Sequence, residues 1–255
     1  MLVNGDVFDA ICPTDKRYDA SVLHPSLRGK KDLKNAIVAM AVELLHPYRD
    51  LIDVIGIGNH EEAWIKWNHS DPVRDLIDRL NADQRGGHCI RHGSFWGWIR
   101  TSFEVEGMRQ RLVHKLLYLH GTGGDSPVTK GTIDFNRKGR NWNYDALTFG
   151  HKHNLAITAE AVGDLTPRGH VIERHQLNLQ TASYYHNYKE APEDEPLTYS
   201  YAESKGHPPK PMGGIFLILR PWQDTRDGSW FIKQDYASEI IVPWLPPAKL
   251  RRLAA

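Results

Sequence analysis

Leu51-Ile52-Asp53-Val54-Ile55-Gly56-Ile57-Gly58 is a short apolar run ended by glycines, and it delivers Asn59-His60-Glu61 at its end. The pattern fits a buried strand with polar residues at its tip. Just upstream, Leu33, Ala36, Ile37, Met40, Ala41 and Leu44 recur at three- and four-residue steps between Lys31 and Leu45. That spacing predicts an amphipathic helix, closed by His46-Pro47. Just downstream, Asp71-Pro72 supplies an N-cap and a first-turn proline, and Val73, Leu76, Ile77 and Leu80 then form one apolar face of a second helix, packed beside the sheet. Helix, strand and helix in succession predict an α/β fold.

Beyond residue 90 the texture becomes strand-like. Ser94 to Val105 and Met108 to Leu119 are rich in aromatic and branched residues and flank Glu106-Gly107, which predicts a β-hairpin whose second strand runs into His120-Gly121. Asp145 to Phe149 reads as another strand, ending in Gly150-His151-Lys152-His153, and further strands are expected at His170 to Leu179, Gly214 to Arg220 and Trp230 to Gln234. Tyr184 to Pro211 is rich in Tyr, Glu, Lys and Pro and reads as a long loop able to overhang a site, or as an inert insertion. No repeat or linker divides the chain, so residues 1–255 read as a single domain, with the polar motifs within 1–155 and a strand-rich part over 156–245.

The 255 residues carry 32 Lys and Arg against 31 Asp and Glu, a formal charge of +1, so the chain lacks the basic excess of a general nucleic-acid coat, although a locally basic groove stays open to it. Cys12 and Cys89 are too few for a disulfide framework or a four-thiolate zinc site and suit a reducing compartment. The start, Met1-Leu2-Val3-Asn4-Gly5-Asp6, has no basic n-region, and no apolar run approaches the ~20 residues of a membrane span. The expectation is a cytoplasmic protein with no membrane partner. Fourteen histidines, several beside Gly, Asn or Asp, direct attention to a metal site.

Four clusters fall at strand ends: Gly5-Asp6-Val7-Phe8-Asp9, Gly58-Asn59-His60-Glu61, His120-Gly121 and Gly150-His151-Lys152-His153. Strand ends of a layered α/β fold meet along one sheet edge, so a carboxylate, an amide oxygen and three imidazoles can face one another, a set that suits a divalent transition metal. Taken singly, Asp6 reads as a turn cap, Asn59 as a loop amide, and Asp9 and Glu61 as helix-start charges; taken together the clusters favour metal. Arg17, which follows the first cluster, reads as a surface cation or as a group able to reach a substrate phosphate. His60-Glu61-Glu62-Ala63-Trp64 lacks the second histidine of a zincin helix, and Gly121 to Lys130 lacks P-loop spacing. Tyr184, Tyr185 and Tyr188 can stack on a base or pack a loop down, whereas His114, His170, His175 and His207 read as structural or surface residues.

G-D-x-x-D, G-N-H-E, H-G and G-H-x-H in this order resemble the calcineurin-like metallophosphoesterase superfamily over residues 1 to about 155. Asp6 to Tyr18 also resembles phage-encoded members. The resemblance implies a four-layer αββα sandwich. It implies that Asp6 bridges two metals, that Asn59, His120 and His151 complete the second metal site, and that His153 serves the first. His60 would protonate the leaving oxygen, oriented by Asp9, while a metal-activated hydroxide attacks the phosphorus. Mn, Fe, Zn, Ni and Co all accept such ligands. The family's D-x-H motif, which precedes G-D-x-x-D, has no counterpart here, so the first strand is missing and the first metal is expected to be weak or absent. A late-called start or a truncated gene is the expected cause, with a degenerate one-metal protein as the rival.

The expected activity is therefore metal-dependent phosphoester hydrolysis, with a phosphodiester or nucleic acid as the first substrate class. A phosphomonoesterase, including a protein phosphatase, is the alternative. The contrasting class is a non-catalytic metal-binding module that keeps the fold.

Overall fold

A computed structural model of the chain describes residues 1–9, 18, 23–82, 87–107, 109, 111–124, 126, 128–129, 131–166, 169–184, 206–226 and 228–241. Cys12, Arg17, Tyr185, Tyr188 and most of the expected overhang at 184–211 lie outside those residues.

Three very short strands, β1 (Leu2–Val3), β2 (Val54–Ile55) and β3 (Arg91–His92), form a parallel sheet in the order β1-β2-β3. Leu2 lies opposite Val54, and Val54 opposite Arg91. The run from Leu51 to Gly58 thus contributes only two residues to the ladder. Its first residue closes a 3-10 turn, His46–Leu51, in which Ile52 N bonds to Arg49 O at 3.1 Å. Its last part leaves β2 toward the other sheet, where Ile57 N reaches Ser94 O at 3.5 Å.

Three helices accompany this sheet: α1 (Leu33–Leu45), α2 (Asn59–Asn68) and α3 (Pro72–Asn81). The Asp71 side chain caps α3, accepting from Val73 N and Arg74 N at 3.0 Å each. The apolar face read from the sequence is buried: Val73, Leu76, Ile77 and Leu80 form one core with Val38, Ile52, Ile55, Phe8 and Trp64. Each such side chain contributes roughly 1.5–3 kcal/mol of burial free energy, so this core fixes α2 and α3 beside β2 and anchors Phe8, two residues from Asp6.

The second sheet has five strands: β4 (Trp96–Phe103), β5 (Leu112–Leu119), β6 (Ala146–Phe149), β7 (Ala156–Leu165) and β8 (Val171–Gln180), in the order β4-β5-β6-β8-β7. β5, β6 and β8 are mutually parallel, and β4 and β7 run antiparallel on the two edges. The hairpin expected around Glu106-Gly107 is β4-β5, with Trp96 opposite Leu119. β7 falls within the part expected to be strand-rich, 156–245, but no strand is read there individually, because it is largely exposed and carries Glu160, Gly163 and Asp164, so it lacks an apolar period.

β9 (Met212–Gln223) and β10 (Trp230–Ile241) form a separate two-stranded ribbon whose Ile215 and Leu217 pack against Ala146, Leu177 and Leu179. Residues 91–96 stitch the first two sheets together: Gly93 N bonds to Ile55 O at 2.8 Å, and His120 N to Phe95 O at 2.7 Å. The C-terminal ends of β1, β2, β5 and β6 therefore meet. The architecture is mixed α/β, and no helix among the described residues is long and apolar enough to cross a membrane.

Candidate metal centre

Asp6 follows β1, Asn59 and His60 follow β2 and open α2, His120 follows β5, and His151 follows β6. The stitching of the two sheets brings these four chain segments to one place. Asp6 Oδ2 lies 3.1 Å from His120 Nε2 and 4.0 Å from His151 Nδ1. Asn59 Oδ1 lies 3.2 Å from the same His120 Nε2. The ligand atoms of Asp6, His120 and His151 all fall within 4.8 Å of one another, so these three residues could hold a metal ion, with the Asn59 oxygen beside them.

The donor set fits a cation. His120 is buried, and its Nδ1 donates to Asn4 O at 2.7 Å. That commits the ring proton and turns the Nε2 lone pair toward Asp6 Oδ2 and Asn59 Oδ1, so three electron-rich atoms face one another. Either the imidazole carries a second proton or a cation sits among them. Burial pushes the His120 pKa down, but the hydrogen bond and charge of Asp6 outweigh it and raise the pKa overall. Burial likewise pushes Asp6 up, and His120 together with His60 more than reverses it, holding the carboxyl below its usual value. The His151 pKa is lowered, by burial first and then by the His120 charge, which favours the neutral ring that metal binding needs. Its Nδ1 is buried with no hydrogen-bond partner among the described residues. A buried nitrogen without a partner, 4.0 Å from a carboxylate oxygen, fits a position where a cation could bind.

Backbone strain concentrates here. Among the described residues four non-glycines have positive φ, and three are Asp6 (50°), His151 (63°) and His153 (57°). Left-handed backbone at a non-glycine residue costs on the order of 1–3 kcal/mol and persists only where surrounding structure imposes it.

His60 stands apart from this set. Its backbone N donates to Asp6 Oδ1 at 3.1 Å, while its Nδ1 pairs with Asp9 Oδ1 at 3.0 Å. The Asp9 hydrogen bond raises the His60 pKa against the opposing effect of burial. His60 is thus beside the cluster, partly exposed and held by a carboxylate. His153 does not join the group of ligand atoms within 4.8 Å. Burial, and then the Lys210 charge, push its pKa down to about 4.

Two residues with structural roles at the site had no clear sequence signal. Glu61 is fully buried, and its carboxylate accepts from Gly58 N at 2.9 Å, Asp6 N at 3.0 Å and Phe8 N at 2.9 Å. It is the helix-start charge read from the sequence, in the first turn of α2, but it is buried and also ties the Gly5–Phe8 turn to the start of that helix. Asn4 accepts the His120 proton and donates its own Nδ2 to Leu119 O at 2.9 Å. Gly58 is required by closeness, because a Cβ there would lie 2.0 Å from Asp6 Oδ1. The chain matches no protein-family model, no curated protein and no solved structure.

Proposed function

We propose that this protein is a metal-dependent phosphoester hydrolase of the metallophosphoesterase kind, with a four-layer αββα core and a phosphodiester, nucleic acid included, as its substrate. The observation that carries the reading is the juxtaposition of a metal-fitting group, Asp6, Asn59, His120 and His151, with a separate His60–Asp9 pair. A purely structural metal site has no use for an imidazole that is partly exposed, carboxylate-bound and uninvolved in the ligand set.

Asp6, Asn59, His120 and His151 would hold a divalent transition metal, Mn, Fe, Zn or Ni by their mixed N and O donors. Such an ion supplies Lewis-acid polarisation of a phosphoryl oxygen and acidifies water toward neutral pH. The chain's own residues do the rest. Asn4 fixes the His120 tautomer. Asp9 keeps the His60 ring oriented and raises its pKa, which favours the protonated ring that can give its proton to the departing ester oxygen. Asp6 Oδ1 accepts from the His60 backbone, which couples the position of the proton donor to the metal-binding carboxylate.

The experiment is hydrolysis of an activated aryl phosphodiester and the matching monoester, with Mn²⁺ titrated and a chelator as control. Chelator-sensitive turnover, faster on the diester, is the expected result. Faster monoester turnover would move the reading to a phosphatase, and no turnover with metal bound would leave a metal-binding module without catalysis.

A further inference from the structure

On the five-stranded sheet, the outer face of edge strand β4 carries Trp96, Trp98 and Arg100 by simple alternation, with Gly97 and Ile99 turned the other way. Trp142, on the loop before β6, fits between the two tryptophans: its ring lies 5.4 Å from Trp96 and 6.1 Å from Trp98. All three rings remain open, with 48%, 42% and 39% of their surface exposed for Trp96, Trp98 and Trp142. An apolar core would have covered them. Three tryptophans left half-wet on one face form a surface built for contact.

The charges beside the rings say what kind. Arg100 follows Trp98 on the same face, directly opposite Lys115, and Arg140 precedes Trp142 by two residues. Arg100 and Arg140 are exposed and make no ion pair among the described residues. Lys115 Nζ donates to the neutral oxygen of Asn143 at 3.0 Å, so its charge is not cancelled there. Guanidinium and ammonium groups without an anionic partner among the described residues, set around open indole rings, complement a polyanion that also carries flat aromatic groups. A polysaccharide would use the rings and leave the cations idle, and self-association through this face would set cation against cation.

The patch also lies at the right end of the sheet. Trp96 pairs with Leu119, the residue before His120, and the Phe95 carbonyl accepts the His120 backbone N–H at 2.7 Å. From Trp96 the row Trp98, Arg100 leads away along β4 at about 7 Å per two residues. We infer that Trp96, Trp98 and Trp142, flanked by Arg100, Lys115 and Arg140, form a binding track for single-stranded nucleic acid, bases stacking on the indoles and phosphates meeting the cations, that leads toward the metal centre. The inference rests on the hydrolase reading for its substrate class. Stacking on aromatic side chains tolerates any base, so the track binds without strong sequence preference.

The test uses the full chain and a fluorescein-labelled oligothymidylate, with oligouridylate in parallel, followed by anisotropy in chelator so that binding is read without metal. Binding is expected to weaken as salt rises. Trp98→Ala is expected to lower affinity by about tenfold or more, the order of one lost base stack, with Trp98→Phe keeping most of it. Arg100→Gln is expected to weaken binding and to reduce the salt slope by about 1. Both sites are exposed, and turnover of the small aryl diester should stay at the wild-type level in each variant. Oligonucleotide binding through Trp98 by a chain that hydrolyses no ester would uphold the track while removing the hydrolase reading. Ester turnover with no oligonucleotide binding, or binding indifferent to Trp98 and Arg100, would overturn it. So would a wild-type dimer in light scattering that Trp98→Ala dissociates, or saturable binding of a soluble glucan in place of the oligonucleotide.

Discussion

Glu61 Oε2 accepts the backbone N–H of Asp6 at 3.0 Å, so a fully buried carboxylate on α2 sets the position of the carboxylate that faces the histidines. The same oxygen accepts from Gly58 N, and the other from Phe8 N. Burial, first of all, raises the Glu61 pKa, with the Asp6 charge adding to it, while the backbone bonds from Phe8 and Gly58 pull it back. Asp6 can hold its strained φ of 50° because its own N–H, and that of Phe8 beyond it, are tied down in this way.

Glu61→Ala should therefore destabilise the fold, because three backbone donors lose their acceptor and each buried unsatisfied group costs about 1–3 kcal/mol. The expected loss is about 3 kcal/mol or more, read from urea unfolding. Glu61→Gln keeps one acceptor oxygen and should lose less. Stability unchanged in Glu61→Ala would show that the carboxylate does not organise the turn.

His60→Ala should keep the metal and lose turnover by about 10²–10⁴-fold, the usual contribution of a positioned proton donor. Metal content and initial rate, measured on the same sample, separate the two roles. Loss of metal together with activity would make His60 a ligand.

Gly58→Ala should weaken metal binding although Gly58 offers no ligand, because the new Cβ would meet Asp6 Oδ1 at 2.0 Å and drive that carboxylate out of place. Titration calorimetry with Mn²⁺ reads the effect directly. Unchanged affinity would mean that the Asp6 carboxylate is free to move without consequence.

The His60–Asp9 pair predicts a pH dependence in the metal-free chain. The folded pKa of His60 is raised above its ordinary value of 6.5, with the Asp9 hydrogen bond as the largest cause. A raised histidine pKa stabilises the fold fully below the unfolded value, about 6.5, and that contribution is lost as pH rises through the folded value. Asp9→Asn should thus be less stable than wild type near pH 6, with the gap closing above neutral pH, in urea unfolding with chelator present. Solvent screening of the exposed Asp9 keeps the gap small. A gap that widened with pH would contradict the assigned pair.

What the sequence disclosed follows what is local. The α3 helix was legible because its cap, its first-turn proline and its apolar face all lie between Asp71 and Leu80. The four polar clusters were legible because each sits at a strand end, and the structure does bring Asp6, Asn59, His120 and His151 together. Glu61 was read as a helix-start charge because nothing in its neighbours announces that the Gly5–Phe8 turn, more than fifty residues earlier, would donate to it. The role of Asn4 was hidden for the same reason: its partner His120 lies 116 residues away. His153, which the resemblance assigns to the first metal and not to this group, lies outside the close set of ligand atoms. Trp96 and Trp98 were read only as strand residues, and Trp142, which joins them, is distant in the chain.

The account stands most directly on metal binding by the strand-end cluster. Calorimetric titration of Mn²⁺ into the chelator-stripped wild-type chain, alongside Asp6→Ala and His151→Ala, tests it. Wild type should bind saturably, and both substitutions should weaken binding by more than the roughly 10–100-fold that loss of an outer hydrogen-bond partner costs. Equal binding by all three chains, or none by wild type, would contradict it.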